Sequence, residues 1–191
     1  MKTQDLMPIP SLEECLALMD THGMLPHIRE HSFQVSRVAV FLGEALARAG
    51  HSLNLPLVEM GALLHDLGKT PCLGTGHNHA LWGAEILRDL GYPEVAQVVA
   101  EHVYLEPKNG APGFFREAEI VNYADKRVLH TEVVTLSHRF LDLQERYGRT
   151  PEARARIAVN RANSQVLEGK IFASLDLTPD DLLKINHGRE Q

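Results

Sequence analysis

With 191 residues, the chain is long enough for one domain with a proper core. Its 44% hydrophobic and 23% charged residues are those of an ordinary globular protein, and a net charge of −6 argues against bulk nucleic-acid binding while allowing a local basic pocket. The apolar runs are far shorter than the ~18 residues a membrane span needs. The opening MKTQDLMPIPSLEEC lacks the apolar stretch of a signal peptide, and Cys15 and Cys72 make no metal or redox spacing, so the expected setting is a reducing cytoplasm. Eleven histidines against two cysteines mean that any metal would take nitrogen and oxygen ligands.

In chain order, nearly every segment reads at a helical period. Ser11-Leu12-Glu13-Glu14 is a capping box that opens a first helix to about Asp20. Gly23 and Pro26 mark a turn. A long amphipathic helix follows from about His27 to Arg48, with Val35, Val38, Leu42, Ala45 and Leu46 on one face and Gly50 as its stop. Pro56 opens the next helix, after Asn54 or Leu55, and this one runs into His65-Asp66. Thr70 to Asn78 is a Gly- and Pro-rich loop. Helices are expected over His79 to Leu90 and from Pro93 or Glu94 to about Val103, joined by Gly91-Tyr92-Pro93. Leu105 to Gly113 is a second loop. Glu117 to Tyr147 reads as two helices meeting near Thr131. Thr150-Pro151-Glu152 starts another helix, reaching about Leu175, and Thr178-Pro179 starts a last short one. The expectation is an all-α bundle of about eight or nine helices in one domain over 1–191. Its core would span about 27–130, and C-terminal helices over about 131–187 would cover it or mediate a homodimer.

The run Gly61-Ala62-Leu63-Leu64-His65-Asp66-Leu67-Gly68-Lys69 is where chemistry first shows. A carboxylate at the end of a buried apolar helix is costly unless it is paired or bound to a cation. A bare helix C-terminus would also fit, with Asp66 solvated, Gly68 as a stop and Lys69 answering the helix dipole. Other inward polar residues weigh against that reading. His31 precedes Val35 and Val38 on the core face, His79 opens a helix, His102 closes one marked by Val95, Val98 and Val99, and Asp125 follows Val121 by four residues. A shared cation resolves these outliers together, because imidazoles and carboxylates converging on it satisfy one another.

His31, then His65-Asp66, then Asp125 on a helical background resembles the HD superfamily of metal-dependent phosphohydrolases, named for that adjacent pair. The likeness covers roughly Arg29 to Arg127 and includes GALLHDLGK, the ADKR segment, His79-Ala80-Leu81-Trp82-Gly83-Ala84 and Ala100-Glu101-His102, in the manner of its HDIG-type members. The resemblance implies that His31, His65, Asp66 and Asp125 bind a first divalent metal. Asp66 would bridge to a second, also held by His79 and His102. Candidate ions are Mn, Fe, Co, Ni, Zn or Mg. Two-metal members often carry a further His where this chain has Val103, which weakens the second site, and His77 stands close enough in sequence to rival His79. Gly91-Tyr92-Pro93 matches the signature of the cyclic-di-GMP phosphodiesterase branch in letters but not in place. Lys69, Lys126 and Arg127 are the natural phosphate contacts, with Asp66, Lys69 and Arg127 as the catalytic set. The implied activity is hydrolysis of a phosphate ester or phosphoanhydride of a small, nucleotide-like molecule by a metal-activated hydroxide, and bacterial dinucleoside tetraphosphate hydrolases show a similar ligand order. The alternatives are a non-catalytic nucleotide-binding or signalling module, and oxidative chemistry at a di-iron site.

Overall fold

The computed structural model describes residues 8–106 and 113–187. The expected capping box is present: Ser11 accepts from the Glu14 amide and Glu14 accepts from the Ser11 amide, opening α1 (Leu12–Thr21). α2 (Pro26–Arg48) buries the predicted stripe of Val35, Val38, Leu42, Ala45 and Leu46, and His31 lies on the same face. α3 (Leu55–Leu64) is capped by Asn54 and apolar on nearly all sides, as a central helix must be. It packs against α2, α6 (Pro93–Glu101) and α7 (Glu117–Lys126), so its C-terminus ends deep inside the molecule.

The expected loop after His65-Asp66 contains one helical turn, α4 (Lys69–Cys72), before Asn78 caps α5 (His79–Asp89). α5 and α6 form a hairpin in which Gly91 adopts φ +86° and Tyr92-Pro93 starts α6, as its sequence predicts. Gly61 and Gly68 set the packing distances. A Cβ on Gly61 would lie 2.6 Å from Val98, and one on Gly68 would collide with the carbonyl of His79 and the amide of Gly83. Gly68 has φ −80°, so it serves close approach to α5 rather than a left-handed helix stop.

Two helices were expected to meet near Thr131. A β-hairpin separates them: β1 (Val128–Leu129) pairs antiparallel with β2 (Glu132–Val133), Val128 opposite Val133. His130 occupies the turn at φ +56°. Strands of two residues are too short to show an alternating pattern. α8 (Leu136–Tyr147) and α9 (Pro151–Phe172) then form a second hairpin, followed by a 3-10 segment, Pro179–His187. Most of the second expected loop, residues 107–112, lies outside the described residues. No described helix is long and apolar enough to cross a membrane.

Candidate metal centre

The ends of α3 and α6 use the same local device. His65 and His102 each follow the last residue of a helix, and each donates Nδ1–H to the carbonyl three residues back, Ala62 and Val99, at 2.7 Å. Both carbonyls lie in the last turn of their helices, where intrahelical donors run out, and that of Val99 also accepts from the His102 backbone amide. The Nδ1–H bond fixes the tautomer and turns the Nε2 lone pair toward the cavity, as in ligating histidines generally. His31 is set the same way from outside its helix, by an Nδ1 hydrogen bond of 2.9 Å to the carbonyl of His130.

The freed Nε2 atoms converge on two carboxylates. His31 Nε2 lies 3.1 Å and His65 Nε2 3.8 Å from Asp125 Oδ1. His65 Nε2 lies 3.4 Å from Asp66 Oδ2, while His79 and His102 Nε2 lie 3.2 and 3.6 Å from Asp66 Oδ1. His79 and His102 Nε2 are 3.1 Å apart. Ligand atoms around one cation at about 2.0–2.2 Å sit roughly 3.0–3.5 Å from one another, so most of these separations fit a divalent ion, and the 3.6 and 3.8 Å pairs lie just beyond that range. His65 Nε2 and Asp66 Oδ1 are buried and make no hydrogen bond, a costly state that a cation between them would relieve. Among the described residues, two groups have metal-holding geometry, His31/His65/Asp125 and His65/Asp66/His102. At 1% exposure, Asp66 is no solvated helix end. His77 is exposed and lines the same cavity, whereas His79 Nε2 reaches Asp66 Oδ1 at 3.2 Å.

The electrostatics are those of charged carboxylates kept inside. Burial alone would push the Asp66 carboxyl up, but His65, His102 and His79 hold it well below the usual carboxylate range. Asp125 is likewise held low against burial by Lys126, His31, His65 and Arg139. Burial pushes the His102 imidazole down to about 4, which keeps it neutral and able to ligate. His65 resists the same burial because Asp66 and Asp125 raise it. Burial works against the charge of Lys69, yet Asp66, 2.6 Å away, raises its ammonium.

A family model for the HD domain matches residues 28–157. The chain belongs to the HD domain family. His65-Asp66 lies within the matched residues. This HD domain protein is 31% identical over 144 residues to an uncharacterized protein of Methanocaldococcus jannaschii, covering 69% of this chain and 83% of the relative. It is 35% identical over 96 residues to the tRNA (cytidine(56)-2'-O)-methyltransferase of Thermoplasma volcanium, covering 50% of this chain and 26% of that enzyme. The crystal structure of a predicted HD superfamily hydrolase from an uncultured Thermotogales bacterium is similar over 91% of this chain and 98% of its own, with 24% identity and a TM-score of 0.49.

The cluster forms the floor of a cavity of about 510 Å³. Lys69 and Lys126 reach it as expected. Lys126 Nζ donates to Asp125 Oδ2 at 2.8 Å and to the His102 carbonyl at 3.0 Å. Arg127 does not reach it, and this corrects the expectation drawn from ADKR. Its buried guanidinium donates to the Val134 and Pro179 carbonyls, the Tyr123 hydroxyl and Glu168, tying α7 to the hairpin, α9 and the 3-10 segment. The C-terminal helices, expected to cover the core or mediate a homodimer, form a cavity wall: Arg139, Leu143, Arg146 and Tyr147 from α8, and Ile157 and Asn160 from α9. Their i, i+4, i+7, i+8 spacing was the available signal. His27 and His130, both exposed, also line the cavity.

Proposed function

We propose that this HD domain protein is a metal-dependent phosphohydrolase that cleaves a phosphate ester or phosphoanhydride bond of a small nucleotide-like molecule. The observation that carries it is the pair of buried, unpartnered ligand atoms, His65 Nε2 and Asp66 Oδ1, set among His31, His79, His102 and Asp125 at the floor of an open cavity. The residues fit two cations. His31, His65, Asp66 and Asp125 would hold the first; Asp66, His79 and His102 would hold the second. When bound, divalent ions supply Lewis-acid polarisation of the phosphoryl group and of the attacking water.

The chain's own groups do the rest. Asp66 stays ionised and orients His79, His102 and Lys69 around one carboxylate. Lys69 stays cationic and faces the cavity, where it offsets the charge that develops on phosphoryl oxygens. Lys126 does the same from the Asp125 side. The volume suits a nucleotide-sized ligand, and Tyr104 and Tyr147 offer aromatic surface near the mouth.

The test is elemental analysis of the purified protein with a screen of phosphate esters and nucleotides. Turnover lost in Asp66→Ala supports the reading. Bound metal with no turnover on any phosphate substrate would leave a binding or signalling module instead. No metal after reconstitution with Mn or Fe would remove the metal centre itself.

A further inference from the structure

Lys69, Lys126, Arg139 and Arg146 line the cavity against two carboxylates, Asp66 and Asp125, in a chain whose net charge is −6. The lysines each pair with one of those carboxylates, at 2.6 and 2.8 Å. The arginines share a different partner. Asp142 Oδ2 accepts from Arg139 at 3.2 Å and from Arg146 at 3.3 Å. One carboxylate between two guanidiniums leaves net positive charge. Arg139 also keeps donor capacity: its Nε is buried without a hydrogen-bond partner, and an outer nitrogen lies 4.0 Å from Asp125 Oδ1, beyond hydrogen-bond length. A guanidinium that only braced α8 would have these donors satisfied.

The two arginines form a track. Seven helical residues separate them, a rise of about 10 Å. Arg139 stands beside the metal cluster. Arg146 stands at the mouth with 46% of its side chain exposed and its guanidinium 5.5 Å from the centre of the Tyr147 ring. Leu143 lies on the same face between them.

We propose that Arg139 and Arg146, yoked by Asp142, form a second anion subsite, and that the substrate carries a further anionic group, phosphate or carboxylate, on the order of 5–10 Å outward from the reacting phosphate. The phosphohydrolase reading enters only in deciding which of the two groups reacts. Arg139 reaches both groups. Arg146 contacts only the outer one and sets specificity.

Phosphonates test this, because their C–P bonds resist phosphohydrolysis. The metal-loaded full chain is titrated calorimetrically with propylphosphonate, 3-phosphonopropionate and propane-1,3-bisphosphonate. At least one of the two probes with a second anionic group is expected to bind about tenfold more tightly than propylphosphonate. A preference for the bisphosphonate assigns the outer group as phosphate, and a preference for phosphonopropionate assigns it as carboxylate. Arg146→Gln should cut the advantage to under about threefold. Arg139→Gln should weaken all probes, with partial recovery in Arg139→Lys. Equal affinities in the wild type, or an advantage that survives Arg146→Gln, overturns the subsite. Turnover on phosphate esters is read separately: a preference for the second anionic group without turnover keeps the subsite and removes the hydrolase reading, and turnover without that preference does the reverse.

Discussion

The ammonium of Lys69 lies 2.6 Å from Asp66 Oδ2, one helical turn along the chain, while the other oxygen of the same carboxylate faces His79 and His102. A cation on one oxygen and two imidazoles on the other lock the carboxylate plane. Replacing Lys69 with Met should leave bound metal close to its wild-type level and lower kcat about 100-fold, since one donor to a developing oxyanion is lost. Paired metal analysis and steady-state kinetics check this. Loss of metal equal to the loss of rate would reassign Lys69 to holding Asp66.

His130 supplies its carbonyl, not its imidazole, to His31, and does so from a left-handed turn. His130→Gly should therefore retain metal affinity. His130→Ile, strained at positive φ, should weaken it about 10–100-fold as His31 loses its anchor. Competition for zinc with a chromophoric chelator separates the two variants.

Arg127 is a structural residue. Arg127→Met would leave Glu168 without its cation and remove the side-chain donor to the Val134 and Pro179 carbonyls, at a cost of about 3–5 kcal/mol. Urea unfolding measures the loss, and metal content of the folded fraction should stay at the wild-type level. Normal stability with lost activity would return Arg127 to the site.

Alkaline pH should destabilise the fold through Cys15. Burial, with Glu14 and Glu59 nearby, raises its thiol from about 9 to about 12. The folded state then holds this proton where the unfolded chain releases it, so the contribution is intact below pH 9 and is lost as pH rises toward 12, at about 1.4 kcal/mol per unit. Denaturation at pH 7.5 and pH 10 should differ by about that amount, and Cys15→Ala should flatten the slope while lowering stability at both.

Gly68→Ala would press a methyl group into the backbone of α5 at His79 and Gly83. The expected loss is about 1–3 kcal/mol, with displacement of His79 and selective loss of the second cation. Metal stoichiometry against Tm distinguishes this from general unfolding.

Local signals were legible. The Ser11 capping box, the Asn54 and Thr150 caps and the α2 stripe each depend on neighbours in sequence, and each forms where the residues predict. His31, His65, Asp66, His79, His102 and Asp125 were legible because buried polar residues break an apolar pattern, and the structure brings them together. Arg127 was misread because it follows Lys126 directly, and consecutive helical residues point about 100° apart. Arg139 and Arg146 were hidden because a charged amphipathic helix looks solvated until another wall faces it. The hairpin at His130 was hidden because its pairing is fixed by packing rather than alternation.

His31 and Asp125 meet across 94 residues of chain. Closing a loop that long costs the unfolded chain several kcal/mol of entropy, about 4–5 by the loop-length rule. A cation held between them would act as a reversible cross-link, joining the first long helix to the last ligand-bearing one as a disulfide would, in a protein whose two cysteines are both free. Chelation would then slacken the whole bundle between α2 and α7, and metal supply would set the lifetime of the protein as well as its chemistry.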